Sequence, residues 1–150
     1  MRKVLGLGSG GGRNLIFLAK KGFEVYGIDF SKMGLKLTEE KLKKKNLKAK
    51  LKLGDIFKKL PYKKNFFNAL ISIRVIHHQK FEKIKKLIRE IERILKPGAY
   101  FFGTILEKEK GLFHFHFERK TLKKLLKNFK ILKIWKDSEN YLVFLAKLKP

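Results

Sequence analysis

The sequence predicts an α/β domain built on a mostly parallel sheet, and three observations predict it. Strand-like and helix-like segments alternate along the chain. The first strand runs into a glycine-rich loop that opens a helix, and two apolar segments around Asp137-Ser138-Glu139-Asn140 close the chain as a hairpin. Alternation implies parallel strands with helices on both faces. The hairpin adds an antiparallel strand at one edge. A length of 150 residues fits a single domain, residues 1–150, with a core that needs neither metal nor disulfide.

Each element has its own local reason. Arg2–Leu7 reads as a short buried strand, and Asn14–Lys21 as a helix stopped by Gly22. Glu24–Ile28 is a second strand ending at Asp29, and Ser31 caps a helix running to about Lys45. Lys48–Leu53 alternates as a strand does, and Gly54-Asp55 ends it. Phe66–Ile73 is an apolar run of strand length. In Phe81–Leu95 the residues Ile84, Leu87, Ile88, Ile91 and Leu95 share one helical face, and Lys96-Pro97-Gly98 closes the helix. Tyr100–Ile105 is a fifth strand, and Thr121 caps a short helix to about Asn128. Phe129–Trp135 and Tyr141–Leu148 form the hairpin.

Composition excludes several classes. An apolar content of 44% with 14 Phe excludes a disordered chain. The lack of cysteine excludes a disulfide scaffold, an iron–sulfur protein and a zinc-thiolate site. No apolar run approaches the length of a membrane-spanning helix. Met1–Gly22 is basic and then apolar, like a signal peptide, but glycines interrupt it and no small-residue cleavage site follows. It therefore reads as the first element of the fold, and the expected location is cytoplasmic. The chain carries 38 Lys+Arg against 13 Asp+Glu, a net charge of +25, and only 6 of the basic residues are Arg. Lysine excess is the solvated surface of a thermophile protein or a working face for RNA or an anionic substrate.

The strongest motif is Val4–Arg13, VLGLGSGGGR, with five glycines between residues 6 and 12. Such a loop lets backbone approach a ligand, and the helix behind it offers unpaired N–H groups to an anion. The spacing alone is ambiguous. Gly6, Gly8 and Gly11 satisfy the dinucleotide fingerprint, while Gly8, Gly10 and Gly12 satisfy G-x-G-x-G. Asp29 follows at the distance where an acid accepts ribose hydroxyls. An adenosine-type cofactor is implied in either register. A plain turn for the loop, a helix cap for Asp29 and a turn for Asp55 are the bland alternatives.

The remainder of the chain narrows the choice. Gly54-Asp55-Ile56, FNALISIRVIHH (67–78), LKPG (95–98), Arg13, Leu18, Ala19 and the run GFEVYGIDFS to Ser31 together resemble the class I S-adenosylmethionine-dependent methyltransferases, across essentially the whole chain. ISIRVIHH (71–78) and the closing segments also look like tRNA wobble-uridine methyltransferase domains, and about equally like small-molecule members. The resemblance implies a Rossmann-like three-layer αβα sandwich. Its seven-stranded sheet has the order 3-2-1-4-5-7-6, with strand 7 antiparallel. It implies S-adenosyl-L-methionine as cofactor, held by the loop of Gly6, Gly8, Gly10 and Gly12, by Asp29 at the ribose, by Asp55 at the adenine amino group and by Ile56 beside the ring. Arg74 would begin the segment near cofactor and acceptor. Gly6 departs from the family pattern, which usually carries Asp or Glu there. Local carboxylates suit a cationic cofactor that a +25 chain repels at long range.

Four histidines form two pairs. His77 and His78 follow the fourth strand, and His114 and His116 alternate with Phe113, Phe115 and Phe117. They are candidates for a general base in direct methyl transfer to a small molecule or RNA, with no metal site expected. Packing without chemistry is the bland alternative, as it is for Trp135 and the phenylalanines, which otherwise offer rings to nucleobases. A homo-oligomer is possible on this reading. The rivals are an NAD(P)-binding Rossmann protein and a non-catalytic RNA-binding relative.

Overall fold

A computed structural model describes residues 1–76, 79–106 and 118–150. In chain order the elements are β1 (Lys3–Leu7), α1 (Arg13–Lys20), β2 (Glu24–Asp29), α2 (Lys32–Lys44), β3 (Lys50–Leu53), β4 (Phe67–Ile73), α3 (Phe81–Ile94), β5 (Leu95–Leu106), α4 (Arg119–Leu125), β6 (Phe129–Lys136) and β7 (Tyr141–Leu148). They form one seven-stranded sheet in the order β3-β2-β1-β4-β5-β7-β6. All neighbouring pairs from β3 to β5 are parallel, and β7 alone runs against the rest. The expected sheet order and the antiparallel seventh strand are both present.

Strand alternation sorts the core onto two faces. Leu5, Leu7, Tyr26 and Ile28 join the cluster that contains Ile84, Leu87, Ile88 and Ile91 of α3 and Leu122 of α4. Residues of the opposite parity, Gly6 on β1 and Gly27 on β2, approach Leu15 of α1 on the other face. The sheet is thereby sandwiched between helices, as expected of three layers.

Two boundaries differ from expectation. Lys96-Pro97-Gly98 does not stand between a helix and a later strand. Leu95 already pairs with Phe67 on β4, and the next pairing is Ala69 with Tyr100. Residues 96–99 loop out of register, with Gly98 at φ 80°. Proline lacks a ladder donor and tolerates that position because it sits in a bulge. Thr121 lies inside α4, whose N-cap is Glu118. Among the described residues no helix is long and apolar enough to cross a membrane.

Parallel β1 to β4 deliver the glycine loop, Asp29, Gly54-Asp55 and Arg74 to one edge of the sheet. Strand order reverses between β1 and β4, and open α/β sheets bind ligands in the crevice beyond such a switch point.

Candidate functional site

The loop after β1 is held from below by the sheet. Gly8 N donates to Ile28 O at 2.9 Å, and Gly12 N donates to Ser9 O at 3.0 Å. Gly8 has φ +67°, and a Cβ there would stand 2.7 Å from Val75 Cγ2. Gly10 has φ +53° with nothing within 4 Å of its Cβ direction. The left-handed backbone favours glycine at both places. At Gly10 the missing side chain leaves open space, a cradle in which a ligand can lie against backbone.

Asp29 locks this loop. It is only 5% exposed, its Oδ2 accepts from Gly10 N at 2.7 Å and its Oδ1 from Ser31 N at 2.8 Å. Ser31, rather than Asp29, caps α2, since Ser31 Oγ accepts from Gly34 N at 3.0 Å. A carboxylate offers about four lone-pair sites. Two of them are taken by these amides, which leaves capacity for a diol.

Helix α2 leans on the loop. Thr38 is fully buried, and its hydroxyl lies 2.8 Å from Gly34 O and 3.2 Å from Gly10 O, sharing one proton between them. A Cβ on Gly12 would collide with Thr38. Helix α1 starts from Gly12 with no side-chain cap and no acid in its first turn. Its first N–H groups are therefore available to an anion.

Asp55 is exposed. Its Oδ1 accepts from Phe57 N at 2.9 Å, so it serves as a turn residue. Its other oxygen has no protein partner among the described residues. Ile56 is 6% exposed and belongs to the core cluster.

Gly6 and Arg74 have other partners. Gly6 pairs with Gly27 across β1 and β2, and Cβ atoms at either would collide with the Leu15 side chain, the one from Gly27 at 2.6 Å. The two glycines form a slot for Leu15, which is 1% exposed. The Arg74 backbone has φ 59°, and its N–H donates to Thr104 Oγ1 at 2.8 Å. Its guanidinium pairs with Glu139 at 2.8 Å and Asp137 at 3.8 Å, and stacks on Tyr141 at 4.1 Å. The guanidinium thus engages the hairpin between β6 and β7. His77, His78, His114 and His116, with Phe113, Phe115 and Phe117, lie outside the described residues. Trp135 packs 6.2 Å from Phe102 and carries Lys133 over its ring.

Sequence reasoning missed an apolar rim. Phe30 is 82% exposed and Met33 81%, directly after Asp29. Leu37 follows on the same face of α2, 4.0 Å from the Cβ direction of Gly11. The spacing 30, 33, 37 immediately after a strand-end acid is the signal that reveals it.

Sheet order and crevice define a Rossmann-like domain of the methyltransferase type. Residues 5–103 match the family described as "Methyltransferase domain". The chain belongs to that family. It is 45% identical over 47 residues to a tRNA (carboxymethyluridine(34)-5-O)-methyltransferase of Arabidopsis thaliana, covering 31% of this chain and 12% of that protein. It is 28% identical over 100 residues to an uncharacterized methyltransferase of Synechocystis, covering 67% of this chain and 45% of that protein. The chain thus spans less than half of each relative. A crystal structure of a SAM-dependent methyltransferase from Methanosarcina mazei superposes with a TM-score of 0.84 at 22% identity, over 98% of this chain and 92% of that one.

The residues present fit S-adenosyl-L-methionine, the cofactor of this fold family. The Gly10 cradle is open, the α1 start is uncapped, and carboxylates stand at the ends of two neighbouring strands.

Proposed function

We propose that this chain binds S-adenosyl-L-methionine in the crevice over Gly10 and transfers its methyl group to RNA. The observation that carries the cofactor reading is the lock between Asp29 and the Gly10 amide, which places a buried carboxylate beside the open cradle. When bound, the cofactor supplies an electrophilic methyl on a sulfonium.

The chain's own residues then bind and orient. Gly8, Gly10 and Gly12 shape the loop, the α1 N-terminus receives a carboxylate, and Asp29 accepts from ribose hydroxyls. Asp55 accepts from the adenine amino group, Ile56 lies beside the ring, and Phe30 with Met33 covers the apolar faces. Gly6, which also seats Leu15, belongs to the loop that approaches the cofactor, and Arg74 begins the segment near cofactor and acceptor while its guanidinium engages the hairpin. Alignment of nucleophile and methyl is the main catalytic contribution. His77, His78, His114 and His116 are the base candidates for an acceptor that must lose a proton.

An RNA acceptor is favoured by the +25 charge and by the partial match to a tRNA methyltransferase. Cytoplasmic placement belongs to the same reading. Calorimetric titration with S-adenosylhomocysteine and with NADH tests the cofactor, and transfer of labelled methyl to a total tRNA fraction tests the acceptor. Saturable binding of S-adenosylhomocysteine and label in tRNA are expected. Binding of NADH alone would overturn the cofactor, and label absent from RNA would overturn the acceptor.

A further inference from the structure

A second concavity lies away from the crevice, at the edge of the sheet where β3 is the outermost strand. It is a groove of about 370 Å³ whose lining includes Tyr26, Tyr62, Phe66, Lys50, Lys52 and Lys63. That volume falls in the range of small-ligand sites, about 300–1,000 Å³. The rings form an edge-to-face group, with Tyr26 6.3 Å from Tyr62 and 5.4 Å from Phe66. Lys50 stands 5.2 Å over the Tyr26 ring and Lys52 5.7 Å over Tyr62. The Tyr62 hydroxyl is buried with no hydrogen-bond partner among the described residues.

The rings cover the core and also line the groove. Tyr62 and Phe66 are half-buried, and the lysines beside them are solvent-facing. Glu24 bonds Lys50 at 3.2 Å, while Lys52 and Lys63 have no carboxylate partner among the described residues. Aromatic faces beside unpaired lysines match a single-stranded polynucleotide, which presents base faces and phosphates at alternating positions. A duplex hides those faces.

We propose that this groove docks a single-stranded segment of RNA, a base taking the place of Lys52 over the Tyr62 ring while Lys52 and Lys63 swing to flanking phosphates; Phe66, whose ring already carries Lys3 at 5.4 Å, lines the groove beside it. The inference rests on the RNA reading of the acceptor and adds where that RNA is held. Position supports it. Lys50 pairs with Tyr26 and Lys52 with Ile28, one register step before Asp29 and Leu53. Tyr26 is three residues from Asp29, about 10 Å along the strand. A strand held there leaves the crevice free and anchors the substrate away from the chemistry. Binding energy from a remote part of a substrate is the usual means of positioning its reacting end.

Fluorescence anisotropy with a labelled single-stranded oligouridylate tests this. Lys52→Glu/Lys63→Glu is expected to weaken binding at least tenfold. It should also flatten the dependence of log K on log salt by about 1.4, since each lost phosphate contact is worth about 0.7 on single strands. Lys123→Glu/Lys130→Glu changes net charge equally and is expected to have a small effect. Equal losses in the two variants would overturn the groove while leaving RNA as partner. Tyr62→Leu is expected to weaken binding without altering the salt slope. Unchanged affinity would overturn the stacking, and if that variant does not fold, the lysine pair decides. An RNA duplex bound as tightly as the single strand would overturn the proposal. Absence of any RNA binding at low salt would overturn both it and the RNA acceptor, while S-adenosylhomocysteine titration still reports on the cofactor reading separately.

Discussion

Asp29 Oδ2 and the Gly10 amide meet at 2.7 Å, while the second carboxylate oxygen accepts from Ser31 N. Both oxygens face backbone donors, so position 29 calls for a side chain that carries acceptors only. Asp29→Ala removes the lock and the diol partner together. Hydrogen bonds to charged groups contribute about 1.5–3 kcal/mol, and S-adenosylhomocysteine affinity is expected to fall roughly tenfold to a hundredfold by calorimetry. Asp29→Asn is expected to do no better than Ala. Its amide NH₂ must confront one of two N–H groups, which leaves a donor against a donor.

The Leu15 slot gives a second prediction. Gly6→Ala forces a Cβ into the Leu15 side chain and is expected to cost about 1–3 kcal/mol in denaturant unfolding. Leu15→Ala alone opens a cavity at about 2–5 kcal/mol. Combined, they should cost less than the sum, because the shortened side chain makes room for the new methyl. Strict additivity would remove the slot as the reason for glycine at position 6.

Burial, and then the charge of neighbouring Tyr26, pushes the Tyr62 phenol up to about 12. The neutral form is the one favoured in the folded protein. Its contribution is complete below the unfolded value of about 10 and is lost as pH climbs through about 12. Tyrosinate absorbance is expected to show a late-ionising phase that Tyr62→Phe abolishes. Because the hydroxyl has no hydrogen-bond partner among the described residues, that variant should fold with equal or greater stability at neutral pH.

Arg93 holds the segment before β4 against α3. Its Nη1 donates to Tyr62 O at 2.8 Å, its Nη2 to Leu60 O at 2.9 Å, and its Nε to Glu90 Oε2 at 2.7 Å. Glu90 Oε1 accepts from Leu60 N at 2.8 Å. The Arg93 hydrogen bond, and next the Leu60 N–H, hold the Glu90 carboxyl below its usual range against the opposing effect of burial. The clamp is therefore complete above the unfolded value of about 4.3 and is lost as pH falls through the lower folded one. Arg93→Lys keeps the charge but not the planar fork. It is expected to lower the unfolding midpoint by an amount equivalent to about 1–3 kcal/mol, and the difference should shrink in acid.

Much of this arrangement was legible in residue order. The α3 face of Ile84, Leu87, Ile88 and Ile91 is periodic and buried as read, because one apolar stripe has one way to meet a sheet. Asp29 was readable as a strand-end acid because it directly follows the apolar run of β2 and precedes the cap of α2. The Pro97-Gly98 pair misled, since turn chemistry is the same in a bulge and in a helix terminator. The Leu15 slot was hidden because it needs Gly6 and Gly27 in register, a cross-strand fact. The partners of Arg74 were hidden for the same reason, since Asp137 and Glu139 come from a distant hairpin.

Arg74 carries one more consequence. The glycine loop, Asp29, Ser31 and Thr38 all come from the first forty residues and bond to one another. The corner after β4 waits for Asp137, Glu139 and Tyr141, more than sixty residues downstream. During synthesis on the ribosome, the cradle for a small molecule is thus encoded early, whereas the opposite wall gains its backbone anchor with Thr104 of β5 and its hairpin ion pairs later still. A nascent chain interrupted before that point would carry half a crevice.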